Sequence, residues 1–353
     1  DLHRDTSRQC DRMRRRHYKW LVFFAGLMTY LVFNQGSFHV IDPSDLDPES
    51  LMDWVKQNKE EFEDTYSARR KQVADLCNYH NIGNNKHSSH LREDIWHELQ
   101  KANWDNLFYV PKYNFIWCKV PKAGSSTWVY NLLKLTNVSK QKLDLEGAGI
   151  HGLLRDYYPR MQTDQLEKLM QSVYTFIVVR HPFERILSAY RDKLENYERD
   201  LKFRKGFYYE NYGKNIVAQF RNFSDESLIG RKEPTFQEFV TYLLKTPPRQ
   251  YDEHWMPMWS LCSPCLLKYK IISKMETFSQ DTAYILQSLG LGDTLKVEWV
   301  HKTGNTKSSE LARSYFSKLT QSEVWTLYLK YKLDFELYQF DESDYLNWAI
   351  DDL

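Results

Sequence analysis

Asn114-Phe-Ile-Trp-Cys-Lys-Val-Pro-Lys-Ala-Gly-Ser-Ser-Thr-Trp128 is the stretch on which the fold turns. Residues 114 to 120 are apolar, aromatic or β-branched at nearly every position, which suits a strand buried on both faces. Proline and glycine at Pro121 and Gly124 break the run, and Ser126 to Thr136 has the spacing of a helix. A second unit of the same kind follows. Tyr174-Thr-Phe-Ile-Val-Val179 reads as another buried strand, Arg180-His-Pro182 ends it, and Phe183 to Asn196 is helical in pattern. Buried strands alternating with helices predict an α/β fold, a central parallel sheet flanked by helices. Phe236 to Leu244, Thr277 to Leu289 and Ser309 to Leu329 complete the main domain as further helices.

Upstream the pattern changes. Arg14-Arg-Arg-His-Tyr-Lys19 precedes an uncharged apolar run from Trp20 to Phe33. A helix counted from Tyr18 would cover about 24 Å, enough for a short transmembrane helix in a thin bilayer. Basic residues ahead of it place residues 1–17 in the cytosol as a tail, 18–33 in the membrane as a signal-anchor, and the rest in a lumen. The Pro-broken acidic stretch Asp42 to Pro48 is a linker, and Leu51, Trp54, Val55, Phe62, Tyr66, Val73 and Leu76 recur at loosely helical spacing. Residues 34–75 read as a luminal stem and 76–353 as the main domain. The stem helix is the candidate for holding a homodimer, although it lacks a sustained heptad.

Composition bounds the function. The 48 basic and 47 acidic side chains leave a formal charge of +1, so no global field draws the chain to nucleic acid, and an anionic ligand needs a local basic site. With Cys10 set apart, Cys77, Cys118, Cys262 and Cys265 allow three pairings in an oxidising compartment; Cys262 with Cys265 and Cys77 with Cys118 is the favoured one. Cys262-Ser-Pro-Cys265 has no second ligand pair at comparable spacing, so no metal site follows. The sequons Asn137-Val-Ser139 and Asn222-Phe-Ser224 agree with a luminal domain.

Where the first strand hands over to its helix, Lys122, Ala123, Gly124, Ser125, Ser126 and Thr127 form an anion cradle of backbone amides, hydroxyls and a lysine. Lys122 precedes the glycine, and the spacing departs from the nucleoside-triphosphate loop; a kinase is disfavoured. In Val178-Val-Arg-His-Pro-Phe-Glu-Arg-Ile-Leu-Ser-Ala-Tyr-Arg191, Arg180 stands at the carboxyl end of a strand, where open α/β sheets bind ligands. Ser188 lies about two turns onward. A guanidinium and a hydroxyl suit a phosphate monoester. Glu184 and Arg185 either pair with each other on the helix surface or brace that phosphate.

Together the two motifs resemble the carbohydrate sulfotransferases of the Golgi, in particular the branch of the chondroitin and dermatan 4-O-sulfotransferases and the HNK-1 sulfotransferase. The resemblance continues through Asp252-Glu-His-Trp-Met-Pro-Met-Trp-Ser-Leu-Cys-Ser-Pro-Cys265, Lys274-Met-Glu-Thr277 and Tyr331-Lys-Leu-Asp-Phe335, covering roughly residues 70 to 340. It implies a P-loop-like sulfotransferase fold and a type II Golgi membrane protein. The implied donor is 3′-phosphoadenosine 5′-phosphosulfate (PAPS), with its product PAP, and the acceptor a glycan or glycosaminoglycan. Lys122, Ser125, Ser126 and Thr127 would then hold the 5′-phosphosulfate, and Arg180 with Ser188 the 3′-phosphate. Ala123-Gly-Ser-Ser126 is more glycine-rich and hydroxylated than the loop usual in the chondroitin branch.

Sulfuryl transfer needs a base for the acceptor proton and a cation for the leaving oxygen. Lys122 suits the second role. For the base, His151 in Gly147-Ala-Gly-Ile-His-Gly-Leu153 is preferred, with His254 as rival base or acceptor contact; His181 reads as structural. Lys193, Arg199, Lys202, Arg204 and Lys205 are candidates to meet uronates on the acceptor. The expected reaction is sulfation at O4 of N-acetylgalactosamine in chondroitin or dermatan. The alternatives are O3 of a terminal glucuronate, or a luminal glycan-binding module without catalysis.

Overall fold

The computed structural model describes residues 30–34, 37–41, 46–83, 97–136, 138–139, 141–143, 149–295 and 308–352. Contacts divide the chain into Asp1–Trp54 and Val55–Leu353. In the first unit β1 (Tyr30–Asn34) pairs antiparallel with β2 (Ser37–Ile41). Of the expected membrane span, residues 18–29 lie outside the described residues, and Tyr30 to Phe33 are strand rather than helix. Among the described residues no helix is long and apolar enough to cross a membrane.

The second unit is built on a four-stranded sheet in the order β3 (Leu107–Val110), β4 (Phe115–Cys118), β5 (Tyr174–Val179) and β6 (Ile271–Lys274). β4, β5 and β6 are parallel, with Cys118 opposite Ile177 and Val179 opposite Lys274. The sheet is not wholly parallel, because β3 runs antiparallel to β4. A tight turn at Pro111–Tyr113, ending on Asn114 in the left-handed region, makes that reversal local. Every β4 residue and five of the six in β5 are buried, as the continuous apolar runs require of strands covered on both faces.

The helices track the sequence reading with shifted ends: Ser125–Lys134, Pro182–Lys193, Phe236–Lys245 and Phe278–Ser288. The stretch expected as one helix from Ser309 to Leu329 is two, Ser308–Phe316 and Gln321–Tyr338. Thr320 explains the break: its side chain accepts from Glu323 N while the Glu323 carboxylate accepts from Thr320 N, a reciprocal capping box that starts a new helix. A large aromatic core forms where Pro182–Lys193 meets Phe236–Lys245 and the two C-terminal helices, centred on Phe183, Tyr190, Phe239, Trp255, Phe316 and Phe335.

Lys59–Tyr79, most of which falls in the expected stem, is packed into the second unit. Phe62, Tyr66, Val73 and Cys77 are buried. Arg69 donates to the Ile272 carbonyl at 2.7 Å and to Asp281 at 3.0 Å, and Arg70 donates to the Lys270 carbonyl at 2.6 Å. These arginines occupy carbonyls on the open edge of β6, an edge that would otherwise offer itself to another strand.

The disulfides are Cys77–Cys265 and Cys118–Cys262, which corrects the favoured pairing and excludes both cysteines of the Cys262-Ser-Pro-Cys265 segment as thiolate ligands. That segment follows the short helix Met258–Cys262, and each of its cysteines reaches a different element. Cys118 ends β4 and Cys77 lies in the last turn of Lys59–Tyr79. Peptide mapping without reduction should recover these two pairs. Replacing Cys118 and Cys262 together by serine should lower the unfolding free energy by about 2–5 kcal/mol, read from urea denaturation.

Candidate functional site

The carboxyl ends of β4 and β5 carry Lys119 to Gly124 and Arg180. After β4 the backbone turns sharply, with Lys122 and Gly124 both at φ +67°. For lysine this is a costly conformation of the kind that persists where the surroundings hold it in place. Gly124 is required on two counts: a Cβ there would lie 2.7 Å from the Phe278 ring, and the left-handed conformation disfavours a side chain. Gly124 is the N-cap of Ser125–Lys134 and supplies no capping side chain. The helix therefore opens with amides directed toward the loop, the arrangement that attracts anions. Ala123, Ser125 and Thr127 are buried, and Ser126 is half-buried.

Two arginines tie this loop to the second motif. Arg180 donates from Nη1 to the Lys122 carbonyl at 3.2 Å and pairs with Glu184 at 3.2 Å. Arg185 is 1% exposed and donates to three carbonyls, Pro121 at 2.8 Å, Met256 at 2.6 Å and Glu253 at 2.8 Å. Glu184 and Arg185 do not pair with each other; both brace the candidate phosphate site instead, Glu184 through Arg180 and Arg185 through the Pro121 carbonyl of the loop. His181 is structural as expected, accepting from Phe183 N at the start of Pro182–Lys193 and meeting the Asp341 carbonyl at 2.9 Å. Ser188 lies half-buried on the same helix.

Lys122 reaches Asp192 at 3.0 Å. The same carboxylate draws Lys193 at 3.1 Å, Arg204 at 2.5 Å and Arg199 at 3.6 Å. Burial alone would raise the Asp192 carboxyl, but Lys122, Lys193 and Arg204 outweigh it and hold it well below the usual range. Lys122 is pulled downward by burial, with Lys193 and Arg180 adding to this and Asp192 opposing it. Asp192 thus gathers four cations beside the loop, Arg204 also reaching Asp200 at 3.7 Å.

Both candidate histidines lie at this site. His151, in the first turn of Ile150–Tyr157, has Nε2 at 3.2 Å from the Ser126 hydroxyl. Burial, reinforced by the charges of Lys119, His254, Lys193 and Lys122, pushes it down to about 3, so it is neutral at physiological pH. His254 sits in a turn with Nδ1 at 2.5 Å from Asp252 and 3.3 Å from the Tyr208 hydroxyl. Burial lowers its pKa against the pull of Asp252. Lys119 reaches Glu253 at 3.6 Å, so the His254 turn is joined to the end of β4 as well.

Sequence reasoning missed Asp192, Asp252 and Tyr208. Asp192 follows the second motif directly and lies four residues past Ser188, a spacing that puts both on one helix face. Nothing in the sequence signals that Tyr208 meets His254. Among the described residues no three or more His, Cys, Asp or Glu side chains gather to hold a metal.

A family model described as "Sulfotransferase family" matches residues 105–341. Human carbohydrate sulfotransferase 9 is 29% identical over 320 residues, 88% of this chain and 67% of that protein. Carbohydrate sulfotransferase 11 of Mus musculus is 28% identical over 289 residues, 80% and 77% of the two chains. Carbohydrate sulfotransferase 10 of Danio rerio is 25% identical over 319 residues, 87% and 80%. No solved structure matches.

Asp192→Asn removes the charge that keeps Lys122 protonated against burial and its cationic neighbours. The alkaline limb of kcat/KM, which reports the free enzyme, should move to lower pH, and Asp192→Glu should restore it. A variant profile superimposable on that of the parent protein would show that Lys122 does not depend on this carboxylate.

Proposed function

Since the chain belongs to the sulfotransferase family, and is therefore a transferase that uses a sulfate donor, we propose that it moves the sulfo group of PAPS to a glycan hydroxyl, O4 of N-acetylgalactosamine in chondroitin or dermatan. The observation that carries this reading is the convergence of Lys122, Arg180 and the Ser126–His151 pair at the carboxyl end of the sheet. The amides after Gly124, with Lys122 and the loop hydroxyls, hold the 5′-phosphosulfate; Arg180 and Ser188 hold the 3′-phosphate. The cations around Asp192 support an acceptor that carries anionic groups.

In the reaction the acceptor oxygen forms a bond to sulfur as the sulfur–oxygen bond to the donor phosphate breaks, with PAP leaving in line. The acceptor proton passes to Nε2 of His151, which is neutral and able to accept it. Lys122 exchanges Asp192 for the departing phosphate oxygen and offsets the charge that develops there. Asp252 fixes the His254 ring, which contacts the acceptor.

The proposed setting is the Golgi membrane, with a single-pass type II topology and a luminal catalytic domain. Two disulfides in the second unit and the exposed sequon residue Asn222 support an oxidising lumen.

Transfer of labelled sulfate from PAPS to desulfated chondroitin, desulfated dermatan and a glucuronate-terminated glycan, assayed side by side, tests the reaction. Label on the galactosamine polymers is expected, whereas label confined to the glucuronate end would replace O4 of galactosamine with O3 of glucuronate. PAPS binding without transfer to any glycan would favour a non-catalytic module. His151→Ala should lower kcat by roughly 10²–10⁴-fold with donor affinity kept. Lys122→Ala should lower kcat by roughly 10²–10³-fold. Arg180→Ala should weaken donor binding by about tenfold or more.

A further inference from the structure

Beside the cation cluster the chain presents a surface that the reaction does not use. Tyr197–Arg204 is a short helix whose geometry is fixed from within. Asn196 caps it by accepting from Arg199 N at 2.8 Å, and buried Asp200 accepts from Tyr209 N at 2.9 Å. Lys205 in the left-handed region and Gly206, whose amide donates to the Asp200 carbonyl, close the helix and turn the chain outward. From this frame Leu201, Phe203 and Phe207 project at 46%, 57% and 51% exposure. Leu201 and Phe203, two residues apart on the helix, face different sides of it, so the segment offers exposed apolar side chains in more than one direction. The same segment exposes Arg199, Lys202 and Lys205 against one exposed carboxylate, Glu198, with the Lys202 ammonium 5.2 Å from the centre of the Phe203 ring.

The surface is continuous with the active site. Phe207 packs edge-on against Tyr208 with ring centres 5.1 Å apart, and the Tyr208 hydroxyl meets His254. Arg204, from the same helix, reaches the carboxylate that holds Lys122. A polymer whose reacting sugar lies between His151 and Lys122 must run out over neighbouring protein. Sugar rings offer apolar C–H faces edged by anionic groups, the complement of aromatic rings edged by cations.

We propose that Tyr197–Phe207 is a docking surface for the non-reacting sugars of an anionic polysaccharide acceptor. Phe203 and Phe207 pack on sugar faces while Arg199, Lys202 and Lys205 pair with carboxylates or sulfates. The proposal rests on a glycan being the acceptor. It differs from it in locating affinity for length outside the reacting centre.

The test compares the full chain with Phe203→Ala/Phe207→Ala and with Lys202→Glu/Lys205→Glu, using chondroitin polymer and a chondroitin tetrasaccharide as acceptors. For both variants KM for the polymer should rise about tenfold, more than for the tetrasaccharide, with PAP affinity kept. The lysine variant should also flatten the salt dependence of polymer binding. An unchanged polymer KM, or an equal rise for both acceptors, overturns the proposal. So does loss of binding to phosphatidylserine vesicles with polymer KM intact, which would assign the surface to a membrane. Affinity electrophoresis in chondroitin polymer without donor separates this proposal from the proposed reaction. Retardation of the parent protein that both variants lose keeps the surface even if no glycan is sulfated, and no retardation of the parent protein removes it.

Discussion

A single buried guanidinium holds the site together. Arg185 takes the carbonyls of Pro121, Glu253 and Met256, so the donor-side loop and the turn that carries His254 are fastened to one side chain on Pro182–Lys193. A guanidinium deprived of water is costly unless it is hydrogen-bonded, and here each of its three nitrogens donates to a backbone carbonyl. Asp334, buried and accepting from Met258 N and Trp259 N, lies close enough to favour the Arg185 charge, while its own burial pushes its carboxyl up to about 7. Lysine at position 185 could not reproduce this, since it lacks the planar fork that reaches three acceptors at once. The strained Lys122 and the collision that Gly124 avoids with Phe278 become tolerable because the loop is fixed on either side.

Around that anchor the charges are arranged for an anion. Lys122, Lys193, Arg199 and Arg204 share one carboxylate, and Arg180 stands at the end of the neighbouring strand. Burial and this positive field push the nearby histidines in the same direction, toward the neutral form. A site so built has its bases free and its cations only partly satisfied. Both conditions suit a polyanionic donor, whose arrival supplies the missing negative charge.

The framework was legible because it is local. Uninterrupted apolar runs gave β4 and β5, and a proline–glycine break followed by helical spacing gave the loop; the two candidate phosphate motifs fall at strand-to-helix handovers, whereas His151 lies in the first turn of the helix Ile150–Tyr157 and not at a strand end. What escaped depends on distance. β3 is a four-residue strand set by the local turn to β4, whereas the membership of β6 is decided by neighbours far along the chain, β6 being paired with β5 and covered by Lys59–Tyr79. The true cysteine pairing joins residues 188 and 144 positions apart, which no spacing rule reaches. Arg185 looked like a surface partner for Glu184 because adjacency in sequence hides opposite orientations on a helix. Tyr331-Lys-Leu-Asp-Phe335, read only as a resemblance, proves to carry buried packing and the carboxylate that receives the Met258 and Trp259 amides.

The nested disulfides bear on how the chain is made. Each bridge joins an early cysteine to one of the closely spaced Cys262 and Cys265, so neither can close until synthesis has passed residue 262. For that interval Cys77 and Cys118 are each other's nearest thiols within the second unit. A nascent chain that joins them must later exchange that bond, which makes the maturation of this protein a problem of thiol shuffling as well as of hydrophobic collapse.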